Sequence, residues 1–309
     1  MRVSHLGLYL LVSGTAWAAT PQPPANLCID SNCPTTSTGK ILFQETHDSL
    51  SLGTRADESN EGAWKTKING DTTHARVEIR DDDPVIGSSR YLKTTLIKSG
   101  TDNFRTERQM DTGYLGSMQS VGTIGGEDHW RSTHDYWYGF RLRIDNVPDS
   151  IGGYYIQWHD NPGGDNRSPP VALAGSKDGL RLRLEKNYDT GKNDWYSPTI
   201  VGPPFVGVAH DFMFRIRWDT RSNAQGGSGA IDIYLDDQLT PVVSWRGQTC
   251  HPGASTDGRV PYIKWGLYKS AYGTSQGVSG ATNIQVHDHL KVMGGDGSLA
   301  GVKPPLPRN

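Results

Sequence analysis

Four short segments of this 309-residue chain set charged and proton-exchanging side chains at alternating positions. Arg105-Thr106-Glu107-Arg108 puts Arg105 and Glu107 on one face of a strand, where the carboxylate can hold the guanidinium rigid. Gln157-Trp158-His159 projects an amide and an imidazole side by side. In Tyr262-Ile263-Lys264-Trp265-Gly266-Leu267-Tyr268, strand parity gives Tyr262, Lys264 and Tyr268 a common face. Arg76-Val77-Glu78-Ile79-Arg80 repeats the Arg-x-Glu spacing on an earlier strand and competes with Arg105, which is preferred because it lies nearer the Gln-Trp-His segment. Such a face offers cations and donors for a carboxylate, an imidazole that exchanges protons near neutrality, and a phenol. It lacks the evident carboxyl pair that glycoside hydrolysis uses. It suits β-elimination of a uronate, where the sugar carboxylate is neutralised, a base removes the C5 proton and an acid protonates the departing O4.

The elements that must position these groups are strands. ARVEIR (75–80), RYLKTTLI (90–97), WYGFRLRI (137–144), GYYIQWH (153–159), GLRLRLE (179–185), DFMFRIRW (211–218) and AIDIYLD (230–236) alternate apolar with polar residues, the period of half-buried strands. In GLRLRLEK the leucines face a core and the arginines face outward or into a groove. Asp236-Asp237 reads as a hairpin turn, and SNAQGGSG (222–229) as a flexible loop. No sustained helical period and no internal repeat stand out. One all-β domain over residues 40–295 is expected: a single jelly-roll sandwich, concanavalin-like, of two antiparallel sheets with a substrate groove. Trp158 and Trp265 alternate with the chemical side chains and therefore point into packing.

The remaining features bound the setting. Lys and Arg number 31 against 33 Asp and Glu, which disfavours nucleic acid as a partner. Arg2, the apolar run Leu6 to Val12 and Ala16-Trp17-Ala18 read as a signal peptide over 1–18. A leader over 19–39 and a poorly ordered tail over 296–309 follow from composition. No run approaches the length of a membrane span. The expected product is a secreted monomer. Cys28 and Cys33 can close a small loop in an oxidising compartment, or Cys250 can pair with either. Asn166-Arg167-Ser168 is a glycosylation sequon. Asp81-Asp82-Asp83 is a solvated turn or a calcium site, and His287-Asp288-His289 reads as exposed polar residues rather than a metal box. No ion is required for the chemistry, and the metal position is left unknown.

The three chemical segments resemble the R-[ST]-E-x, Q-x-H and Y-x-K-x-G-x-Y regions of alginate-lyase-like jelly-roll polysaccharide lyases. With WYGFRL ahead of YYIQWHD and YIKWGLYK near the end, the frame is most similar to the heparin lyase I and glucuronan lyase branch, over roughly residues 40–295. The first region departs from that pattern, reading R-T-E-R where R-T-E-L-R is usual. The resemblance implies an acidic polysaccharide substrate and proton transfer by His159 and Tyr268, with base and acid unassigned between them. A tyrosine can serve both roles when the stereochemistry is syn. It implies Gln157 and Arg105 as the carboxylate neutralisers, and Lys264, Glu107, Tyr262 and Arg76 as substrate contacts. Some such lyases hold a structural calcium. The slightly acidic balance favours glucuronan, then alginate, over heparin or heparan sulfate. A lectin-like binding protein on the same sandwich is the alternative.

Overall fold

Every alternating segment singled out above forms a strand. The computed structural model describes residues 40–306 apart from 58, 62–63, 84–85, 87–89, 103, 111–134, 160–167, 187–193, 252–260 and 295–296. The signal peptide, leader, Cys28, Cys33 and the core of the sequon lie outside the described residues. In chain order the strands are β1 (Lys40–Glu45), β2 (Gly53–Thr54), β3 (Asn60–Glu61), β4 (Trp64–Asn69), β5 (Ala75–Arg80), β6 (Tyr91–Ile97), β7 (Arg105–Met110), β8 (Tyr136–Asn146) and β9 (Gly153–His159). There follow β10 (Val171–Ser176), β11 (Gly179–Glu185), β12 (Trp195–Tyr196), β13 (Thr199–Val201), β14 (Ala209–Arg217), β15 (Ala230–Leu235), β16 (Val243–Arg246), β17 (Tyr262–Tyr268) and β18 (Thr282–Gly294).

They pair into two antiparallel sheets. One runs β16-β15-β14-β8-β18-β6-β5-β2 with β1 on β18; the other runs β12-β11-β10-β9-β17-β7-β4-β3 with β13 on β11. Neighbours distant in sequence, such as β9 beside β17 and β8 beside β18, make this a jelly roll rather than a meander. The inward residues of both sheets merge into one core: Phe140, Phe212 and Phe214 from the first, Trp158 and Trp265 from the second. Trp158 and Trp265 are fully buried, as their parity required. Burying one such aromatic stabilises the sandwich by roughly 2–3 kcal/mol.

The first sheet's outer face carries an ion-pair lattice. Arg215 bridges Asp135 and Asp232, Arg246 also reaches Asp232, Arg141 grips Asp211, and Arg143 is held by Asp83 and Asp145. The tail is a correction to the sequence reading. Residues Leu299–Val302 form a short helix, α1, packed on Trp137, Met213, Tyr234 and Met293 of this face. Gly139 makes the contact possible, because a Cβ there would lie 1.9 Å from the Val302 carbonyl oxygen. Arg141 Nη2 also donates to the Pro305 carbonyl at 2.8 Å. Short apolar residues spaced among glycines and prolines hid this docking from a composition-based reading.

The loop at 222–229 is also more ordered than its composition suggested. Ser222 and Gln225 form a capping box around a single 3-10 turn, and Ser228 N donates to Asp219. Cys250 is buried in the core.

Candidate active site

The outer face of the second sheet gathers the chemical residues, and strand register dictates their layout. Across the sheet, one row of paired positions runs Lys65, Gln109, Lys264, Gln157, Ala172, Arg183. Another runs Asn69, Arg105, Tyr268, Tyr154, Ala174, Arg181. Glu107 faces Lys67 on one side and Gly266 on the other, and His159 pairs with Tyr262. The rows end in Arg183 and Arg181 at β11 and in Lys65 and Asn69 at β4. At β10 they carry only alanines, which keep the floor low.

Gly266 is required by this geometry. Its φ of +147° lies where side-chain-bearing residues are strained, and a Cβ would sit 2.4 Å from the Thr106 carbonyl and 2.5 Å from the Glu107 Cα. β7 therefore approaches β17 closely enough to lay Glu107 across it. The register slips between Trp265 and Tyr268 against β9, and between Leu173 and Ala174 on the far side of β9. Tyr155 and Ile156 consequently both enter the core, while Tyr154 turns outward to pack with Ala172, Ala174 and Tyr268. A β-bulge re-aims a side chain in this way.

At the centre, Glu107 is 1% exposed. It accepts a hydrogen bond from Gln157 Nε2 and ion-pairs with Arg105 Nε at 3.2 Å. Burial pushes its carboxyl up, opposed by Lys264, Arg105 and Gln157. Burial pushes the Lys264 ammonium down, opposed by Glu107 and reinforced by Arg105 and Lys67. Glu107, expected to contact substrate, is instead covered and holds Arg105 and Gln157 in place.

The His159 end lies to one side of this centre. The rings of His159 and Tyr262 stack with centroids 5.6 Å apart and planes at 25°, and Lys264 Nζ lies 5.7 Å from the Tyr262 centroid. At the other end the Arg105 guanidinium carbon stands 4.7 Å over the Tyr268 ring. Tyr154 lies 5.9 Å and Phe104 6.0 Å from that ring, centroid to centroid. The turn after Tyr268 is pinned from within: buried Lys269 Nζ donates to Asp149 at 2.7 Å and to Asn283 at 2.8 Å. Tyr272 closes the network on Asp149.

The structure thus joins Gln157, Lys264, Glu107 and Arg105 and places His159 with Tyr262, but it does not set His159 beside Tyr268. Tyr262 and Tyr268 are six residues apart on one strand, about 20 Å at a rise of roughly 3.3 Å per residue. Arg76 is a correction. It belongs to β5 in the first sheet, alternating with core residues Ala75 and Val77, so it faces away from the groove and Arg105 stands without a rival. Tyr154 was missed because strict alternation through GYYIQWH assigns it inward, and no residue in that run announces the bulge. Beside Tyr268 and Tyr154 opens a cavity of ≈ 370 Å³ reaching Arg181, Arg183 and Ser176.

In the turn at 81–83 the carboxylates of Asp82 and Asp83 engage protein groups. Asp82 takes Arg80 and the Tyr91 hydroxyl, and Asp83 takes Arg143. Contrary to the sequence reading, His287 and Asp288 are fully buried. The His287 ring lies edge-on to Trp265 at 4.8 Å, and Asp288 stands 3.1 Å from the His289 ring. Among the described residues no group of three or more His, Cys, Asp or Glu side chains converges to hold a metal.

The fold is thus a two-sheet jelly roll that carries cations and phenols on one outer face. The Polysaccharide lyase family model matches residues 42–289, and the chain belongs to that family: it is a polysaccharide lyase acting on a polysaccharide substrate. No curated protein matches it. Among solved structures, an endo-beta-1,4-glucuronan lyase from the fungus Trichoderma reesei is similar at 17% identity and a TM-score of 0.52, covering 86% of this chain and 99% of that one. The alginate lyase PA1167 from Pseudomonas aeruginosa is similar at 16% identity and a TM-score of 0.45, over 69% of this chain and 84% of that one. No helix among the described residues is long and apolar enough to cross a membrane.

Proposed function

We propose that this polysaccharide lyase is an exported enzyme that cleaves a polyuronate by β-elimination, glucuronan before alginate, leaving an unsaturated uronate end. The observation that carries the reading is the Arg105–Tyr268 contact, supported by Glu107 from below and joined by Lys264 and Gln157. The sugar carboxylate meets Arg105 and Lys264, whose charges stabilise the enolate-like intermediate. The phenolic oxygen of Tyr268 takes the C5 proton; the electron pair forms the C4–C5 double bond and expels O4. The same hydroxyl returns that proton to O4, so one residue is both base and acid, as syn geometry permits. His159, at the far end, stacks with Tyr262 and binds the chain rather than moving the proton.

Two further observations support elimination over other readings. Hydrolysis needs two carboxyl groups flanking the bond, whereas the carboxylate at the centre of this face is buried Glu107, already paired. The near-neutral balance of 31 cationic to 33 anionic residues favours a non-sulfated polymer over heparin. The test follows ultraviolet absorbance of the new double bond with glucuronan, alginate and heparin, with and without a chelator. A rise on glucuronan first, unaffected by the chelator, is the expected result. Binding without any absorbance change on all three would favour the lectin-like alternative.

A further inference from the structure

Almost every arginine fixed on the first sheet's outer face has a protein carboxylate, yet two on the groove do not. Among the described residues neither Arg181 nor Arg183 ion-pairs with an Asp or Glu, in contrast to Arg141, Arg143, Arg215 and Arg246. Both arginines are only partly exposed and stand on β11, whose leucines fill the core. Arg183 is held by aromatic groups instead. Its guanidinium carbon lies 3.8 Å over the Trp195 ring and 5.0 Å from the Tyr154 ring, and Nη1 donates to the Tyr154 hydroxyl. Burial disfavours its charge, with only Glu185 opposing. A guanidinium so fixed stays charged and keeps unused donors.

This pair sits at the wall of the cavity that Tyr268 also lines. Between them and Tyr268 lie Tyr154 and the flat Ala172–Ala174 floor. Three strand spacings of roughly 4.8 Å separate β17 from β11, about 14 Å in all. A polymer crossing the strands from Tyr268 would therefore pass over the alanines and reach the arginines. Asp178 also lines the cavity, but its carboxylate is engaged by Lys177 and Ser176, each at 3.3 Å.

We infer that Arg181 and Arg183, backed by Trp195, form a second carboxylate subsite that grips a uronate residue further along the same chain than the one cleaved at Tyr268. The inference rests on the polyuronate reading above. Its consequence is a length preference: oligomers long enough to span both sites bind through two carboxylate clamps, shorter ones through one.

The test uses full-length enzyme with polyuronate oligomers of graded length. Binding is measured calorimetrically on the Tyr268→Phe background, and KM is measured on the active enzyme. Arg183→Gln is expected to raise KM and Kd for long oligomers about tenfold, the effect of one lost charge-assisted contact, and to erase the advantage of long over short. Arg181→Gln should act in the same direction, and Arg183→Lys should restore part of the affinity. Thermal melts monitor folding, and Trp195→Ala, which removes the platform but not the charge, supplies a second probe with the same expected loss. If the wild type cleaves polyuronates while these variants leave the length dependence unchanged, the subsite is overturned. If no polyuronate is cleaved yet long oligomers bind in an Arg183-dependent way, the elimination reading fails and the subsite stands.

Discussion

The sandwich has two outer faces built from the same residue types, and they use them oppositely. On the first sheet each of four arginines meets Asp135, Asp232, Asp211, Asp83 or Asp145, and helix α1 covers part of the surface. On the second sheet the pattern is different. Lys264 and Arg105 share the one buried carboxylate of Glu107, and Arg181 and Arg183 have none among the described residues. A face whose arginines are neutralised internally adds stability, whereas guanidinium groups without a protein carboxylate can receive one from outside. The difference supports placing the proposed substrate on the second sheet.

Within the groove face a second contrast matters. The Tyr268 end has a guanidinium over a phenol, a pinned turn behind it and a cavity beside it. The His159 end has two stacked rings and the centre's ammonium nearby. The proposed elimination places chemistry at the first end and chain binding at the second.

The largest effect that would break the first comparison comes from Glu107. Glu107→Ala leaves buried Lys264 and partly exposed Arg105 beside each other without that counter-charge. It should cost about 3 kcal/mol of stability by chemical denaturation and lower kcat/KM on polyuronate by roughly a thousandfold. On the opposite face Asp232→Ala should cost less, about 1 kcal/mol, because Arg215 keeps Asp135 and Arg246 is half exposed. KM and kcat at a temperature where it stays folded should match the wild type. Altered KM in that variant would mean the two faces are not separate in function.

His159→Ala sharpens the second contrast. KM is expected to rise about tenfold, with kcat within roughly threefold of the wild type. A kcat loss of several hundredfold would move proton transfer to the His159 end. Salt offers a smaller effect: raising ionic strength should weaken binding at the partly exposed groove cations by screening, while leaving the Tm set by the opposite face nearly unchanged.

Acid separates unfolding from chemistry. His47 and His287 are buried against Trp265. Burial lowers both below the ordinary value of 6.5, with Arg108, His289 and Arg55 adding to the effect at His47, and His47 adding to it at His287. The unfolded chain binds protons that the folded chain refuses, so this contribution to stability is complete above about pH 6.5 and is lost as pH falls below it. Thermal melts across that range should show the decline, and His47→Gln with His287→Gln should flatten it. An unchanged slope in the double variant would assign the acid lability elsewhere.

Much of this was legible in the chain itself. Period-2 runs such as ARVEIR and GLRLRLE became β5 and β11 with the expected faces inward, and parity correctly sent Trp158 and Trp265 to the core. Gln157, Lys264 and Arg105 converge because their strands are neighbours, a pairing that local pattern implied only through the resemblance. What escaped was non-local or irregular. The bulge at Tyr155 turns Tyr154 to the outer face through a register slip that no residue type marks. Arg76 matched the Arg-x-Glu spacing of Arg105, yet it pairs into the other sheet. His287 and Asp288 looked like surface residues but are enclosed by β1, β6 and β8 around β18. Leu299 and Val302 docked onto a face whose apolar patch is assembled from four different segments.

In the proposed elimination Tyr268 moves the proton. The measurement is the ultraviolet progress curve on glucuronan for wild type and Tyr268→Phe, taken at equal folded concentration with oligomer binding measured in parallel. Loss of the phenolic hydroxyl leaves the ring packed on Tyr154 and Phe104, so binding and Tm should be unchanged while kcat falls by about a thousandfold or more. A Tyr268→Phe enzyme that turns over glucuronan at the wild-type rate would contradict the account.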